Sequence, residues 1–129
     1  MPEYAFTKEI NISYDKALDV VTDELKKEGF GVLTEIDVKQ TMKKKLDVDF
    51  PRYKILGACN PPFAHKALEA EENIGVLLPC NVVVYEKNGK TILSVMKPST
   101  AMGMVENKSL GDVALEVENK LKRVFDSVN

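Results

Sequence analysis

Cys59, His65 and Cys80 carry the most versatile chemistry in the chain, and they fall in one stretch, residues 53–85, YKILGACNPPFAHKALEAEENIGVLLPCNVVVY. Thiolate and imidazole are the common ligands of zinc. Glu69 lies four residues after His65 and so shares its helical face, which completes a candidate metal set of Cys59, His65, Glu69 and Cys80 for zinc or another transition-metal ion. Five residues separate Cys59 from His65 and fourteen separate His65 from Cys80. These spacings match none of the tight Cys-x2-Cys or His-x3-His patterns of dedicated zinc modules. The competing reading makes both cysteines small buried hydrophobes and His65 a surface residue.

A cysteine–histidine nucleophile would need the thiolate within hydrogen-bond reach of the imidazole, with N–H donors for an oxyanion. Pro61 and Pro62 remove two of the donors that a helix opening would supply there. No residue is therefore assigned as catalytic, and the reading leans away from an enzyme. Asn60, Pro61, Pro62, Lys66 and Asn81 surround the same helix as candidate ligand-binding residues. Met96, Met102 and Met104 are soft donors that suit copper(I), with packing at a core edge as the alternative. The sequence has neither a Gly-x-Ser-x-Gly elbow nor a glycine-rich phosphate loop.

These residues depend on elements that the sequence pattern outlines. Tyr53 to Cys59 reads as a strand with Tyr53, Ile55, Gly57 and Cys59 on one face. Asn60 is placed to cap a helix running from Pro61 to about Ala70, prolines being tolerated at the first helical positions. A turn follows near residues 73–75. Cys80 to Glu86 and Thr91 to Lys97 are predicted strands joined by Lys87-Asn88-Gly89-Lys90, since Asn-Gly is the strongest short hairpin signal. Before this region, Ala5 to Ile12 alternates like a strand. Ser13 then caps an amphipathic helix bearing Tyr14, Ala17, Leu18, Val21 and Leu25, which Gly29 closes. Phe30 to Val38 is a second strand, and the segment to Val48 is either a short helix or irregular. Pro98 ends the last strand, and residues 99–107 read as a mobile loop. Ser109 is predicted to cap a terminal helix whose Leu110, Val113, Ala114, Val117, Leu121, Val124, Phe125 and Val128 form one apolar stripe.

The chain has 129 residues, 44% of them hydrophobic and 29% charged, which suits a single α+β domain with its own core. A net charge of −2 gives no general attraction to a phosphate backbone, so no nucleic-acid partner is expected. The run Lys43-Lys44-Lys45 is flanked by Asp47 and Asp49 and reads as a solvated turn. No apolar run approaches the roughly 20 residues that span a bilayer, and residues 1–10 lack a secretory pattern. A cytoplasmic protein with free thiols is the expectation.

The motifs Leu56-Gly57-Ala58-Cys59-Asn60-Pro61-Pro62, His65-Lys66-Ala67-Leu68 and Leu78-Pro79-Cys80-Asn81-Val82 resemble the centre of the bacterial and archaeal family called domain of unknown function 302, over nearly the whole chain. The resemblance implies a β-α-β(4)-α fold of the TATA-binding-protein type, a curved antiparallel sheet with helices on one face, and a homodimer. It implies no reaction. Two functions remain open: a small binding module for a metal ion or small ligand around Cys59, His65 and Cys80, or a structural and interaction domain that acts as a homodimer with no ligand.

Overall fold

A computed structural model describes residues 3–129. Strand β1 (Ala5–Ile10) leads into helix α1 (Tyr14–Lys27), then β2 (Gly31–Asp37), α2 (Val38–Leu46), β3 (Tyr53–Cys59) and α3 (Pro61–Ala70). A 3-10 segment over Glu72–Leu77 precedes the hairpin of β4 (Cys80–Lys87) and β5 (Lys90–Met96). Helix α4 (Pro98–Ala101), a 3-10 turn at Met102–Met104 and helix α5 (Lys108–Ser127) complete the chain. The five strands form one open sheet in the order β1-β5-β4-β3-β2, with every neighbouring pair antiparallel. Relative to the expected β-α-β(4)-α order, α2 and α3 interrupt the four later strands.

Local chemistry explains most of these boundaries. Ser13 accepts from the Lys16 N–H at 3.2 Å, and Gly29, at φ 87°, closes α1 as expected. Asp37 caps α2 by accepting from the Gln40 N–H at 2.9 Å, which settles the ambiguous segment as a helix. The β4–β5 turn places Asn88 at φ 52° and Gly89 at φ 76°, both in the left-handed region that this tight hairpin requires. β1 stops at Ile10, two residues short of the expected end, because the Asn11 N–H leaves the ladder and donates to the Asn129 carbonyl at 2.8 Å.

Two expectations near the C-terminus are corrected. The cap of α5 is Asn107 rather than Ser109: its Oδ1 accepts from the Leu110 N–H at 3.1 Å while its Nδ2 donates to the Ala70 carbonyl at 2.6 Å. An amide can cap one helix and tether the end of another at once. Residues 99–107 are also not a mobile loop. Ser99 donates through N–H and hydroxyl to Glu118 Oε1 at 3.0 and 2.6 Å, and Met102 is buried in a small cluster with Ala67, Ile74, Leu110 and Ala114.

The main core lies between the sheet and the two long helices. Leu56 and Ala58 of β3, Val82 and Val84 of β4, and Leu93 and Val95 of β5 meet Val21 and Leu25 of α1 and Val117, Leu121 and Val124 of α5. α1 packs on β2 and β4 beside α5, which lies against β5, so the first and last long helices share one face as their single stripes demand.

Candidate functional site

The residues singled out for chemistry separate onto different surfaces. Ala58 of β3 pairs with Cys80 of β4, and both lie on the helix side of the sheet. Cys59, the next residue along β3, therefore points to the opposite side, because successive strand side chains alternate. Cys80 is 6% exposed and its thiol borders a small cavity under α3, whereas Cys59 is half-buried. His65 and Glu69 stand on the solvent side of α3, with 3.5 Å between Nε2 and Oε1, and both side chains are largely exposed. The convergence of Cys59, His65, Glu69 and Cys80 expected from their positions at element ends is thus not found. Only the i,i+4 pair comes together, and among the described residues no three His, Cys, Asp or Glu side chains group as metal ligands. The three methionines also part: Met96 is half-buried on a strand, Met102 is buried and Met104 is 73% exposed.

Burial pushes the Cys80 thiol up to about 11, with a smaller contribution from Cys59. A thiol reagent attacks the thiolate, so burial and a raised pKa suppress Cys80 together. Titration of the native protein at neutral pH should modify Cys59 ahead of Cys80, which reacts only after denaturant is added. Two thiols reacting at equal rates in the native state would contradict this placement.

The candidate ligand-binding residues divide in the same way. Asn60 is buried, but it does not cap α3 with its side chain. Pro62 and Pro61 have removed donors from the first turn, and Asn60 Nδ2 instead reaches back to the Glu28 carbonyl at 3.0 Å, fastening the end of α1. Its backbone carbonyl accepts from the Ala64 N–H at 2.9 Å. Pro61, Pro62 and Lys66 are exposed along α3, with Lys66 Nζ 5.2 Å from the Phe63 ring centroid. Asn81 lies on the other side of the sheet, where its N–H meets Met96 Sδ at 3.3 Å.

That other side, toward which the apolar run Val82 to Val84 already pointed, carries a surface of its own. A broad concavity of about 490 Å³ is lined by Ala5 and Thr7 of β1, Tyr53 of β3, Asn81, Val83 and Tyr85 of β4, Ser94 and Met96 of β5, and Tyr4. No lining residue is charged. The Tyr53 and Tyr85 rings stack with centroids 5.1 Å apart and planes inclined by 16°, and Phe50 meets Tyr53 edge-on at 6.2 Å. Burial raises the Tyr53 phenol above its ordinary range, with Tyr85 adding to the effect. Thr7 and Ser94 hydroxyls hydrogen-bond across the strands at 2.8 Å. The available signal was the runs Tyr53 to Cys59 and Val82 to Tyr85. Apart from Lys54 these are apolar at both parities, as strands covered on both faces are.

The model of the family described as "Domain of unknown function DUF302" matches residues 6–128. The chain belongs to the DUF302 family. Among solved structures, this DUF302 domain is similar to the crystal structure of an uncharacterized conserved protein DUF302 from Bacillus stearothermophilus. The two share 30% identity with a TM-score of 0.93, over 99% of this chain and 100% of that one. No curated protein matches this DUF302 domain. Among the described residues no helix is long and apolar enough to cross a membrane.

Proposed function

We propose that this DUF302 domain is a non-catalytic interaction module that works as a homodimer, with two copies paired through the uncovered sheet face. Of the two functions left open by the sequence, the interaction domain is favoured over the binding module for a metal ion or small ligand, because Cys59, His65 and Cys80 are dispersed over both sides of the sheet. The observation that carries the dimer is the uncharged lining of the strand concavity. An antiparallel sheet with one solvated face ordinarily alternates apolar inward and polar outward. Here Tyr53, Ile55, Val83, Tyr85, Ile92 and Met96 all occupy the outward positions, in register across β3, β4 and β5. A two-fold interface sets the same patch against itself. The uncharged concavity meets its copy with no like-charge repulsion at the centre, the Glu9–Lys90 ion pair of 3.2 Å lying toward the rim, and apolar side chains and tyrosines are what interface centres favour. The paired face should bury more than about 1,000 Å² in total. Two unpaired cysteines support residence in a reducing compartment such as the cytoplasm.

Val83 stands near the middle of this face, paired with Ile55 on one side and Ser94 on the other. Val83→Lys should halve the sedimenting mass while the far-ultraviolet circular dichroism keeps its native form. An unchanged mass for Val83→Lys relative to the parent chain would remove this face from the interface.

A further inference from the structure

On the helix side of the sheet, away from the face proposed for pairing, α3 covers a cavity of about 30 Å³. Phe63, Ala64 and Ala67 of α3 border it, opposite Ala114 of α5 and Cys80 of β4, with Asn60 at its edge. Such a volume holds about one or two water molecules, and the half-buried Phe63 ring forms part of its wall. Phe63 has two ammonium groups over it: Lys66 Nζ lies 5.2 Å and Lys120 Nζ 5.6 Å from its centroid. Among the described residues, neither lysine has a carboxylate oxygen within 4.0 Å. Glu28, which feels the Lys120 charge, has its Oε1 held by Arg123 at 2.8 and 3.1 Å, while Glu116 and Glu69, one turn from Lys120 and Lys66 on the same helices, form no ion pair with them. Two cations from different helices, neither in an ion pair within 4.0 Å among the described residues, therefore converge on one aromatic ring that borders apolar space.

We infer that this cleft binds a monocarboxylate with a compact apolar body. The carboxylate accepts from Lys66 and Lys120, and charge-assisted hydrogen bonds of this kind are the strong ones. The apolar body takes the place of the Phe63 ring and extends into the space among the alanines, the usual composition of a small-molecule pocket being apolar walls with a few polar groups to orient the ligand. Displacement of Phe63 is eased by the way α3 is held. Its first turn lacks a side-chain cap, and Ala67 is its one buried residue.

Benzoate is the probe, followed by methyl and amide nuclear magnetic resonance of the whole chain at neutral pH, with acetate and benzyl alcohol as partners that lack the apolar body and the charge respectively. Benzoate should saturate with a Kd of about 1 mM or tighter and shift the Ala64, Ala67 and Ala114 methyls, while acetate and benzyl alcohol bind at least about tenfold more weakly. Lys66→Gln and Lys120→Gln break no ion pair within 4.0 Å and give up only a cation–π contact with Phe63, so melting should fall by no more than about a few degrees while each weakens benzoate at least threefold. No saturable shift with benzoate, equal binding of acetate or benzyl alcohol, or undiminished affinity in the double lysine variant would each overturn the assignment. Because the cleft and the open sheet face lie on opposite sides of the sheet, a dimer that ignores benzoate and a monomer that binds it are separable results.

Discussion

Leu121→Asp should abolish the cooperative unfolding transition. Leu121 is fully buried where α5 meets α1 and the sheet, in the main core with Val21, Leu25, Val117 and Val124. An aspartate there either carries an unpaired charge into apolar surroundings or takes up a proton to avoid it, and either course adds the loss of the leucine's own contacts. The cost is at least about 4 kcal/mol, a large part of the roughly 5–15 kcal/mol that holds a domain folded. Leu115 on the same helix is 53% exposed, so Leu115→Asp should stay within about 0.5 kcal/mol of the parent. Thermal melts followed by circular dichroism compare the two directly. A native-like melt of Leu121→Asp would contradict the packing of α5 on the sheet.

Gly57→Val should have the next largest effect on stability. Gly57 sits in the middle of β3, paired with Thr34 of β2 and Asn81 of β4. A Cβ built on it would lie 2.1 Å from Thr34 Oγ1 and 2.8 Å from Pro79 Cγ. The threonine can rotate away, but the proline ring cannot, so the strand itself must shift. Overpacking of this kind costs about 1–3 kcal/mol, and valine's two further carbons place it at the upper end, a fall in melting temperature of roughly 10 °C. Gly31→Val is the control, since a Cβ there meets nothing within 4 Å. Equal melting of the two variants would mean that the close approach around Gly57 is not real.

What could be read from the sequence was what is decided locally. The limits of β3 and α3 follow from the apolar run and from Pro61-Pro62, and the β4–β5 turn follows from Asn88-Gly89, because each signal acts within a few residues of itself. The stripe of α5 was legible for the same reason, as its buried residues repeat at helical spacing. The candidate site depended on something non-local, namely which face of the sheet the helices cover. Alternation places Cys59 and Cys80 on opposite sides once Ala58 and Cys80 are paired, and no local pattern states that pairing. Asn60 shows the same limit: its type and position fit a helix cap, but its Nδ2 donates to the carbonyl of Glu28, distant in sequence, and its Oδ1 takes no N–H from α3. Lys66 was noticed as a polar neighbour of the helix, while Lys120 enters only because α5 crosses α3 near Phe63.

If a second copy of the chain covers the uncharged strand concavity, the unmodified protein must have a dimer's mass in solution. Sedimentation equilibrium at micromolar concentration should return twice the 14.4 kDa of the single chain. A single-chain mass across that range would contradict the account and leave the Tyr53–Tyr85 face open to solvent.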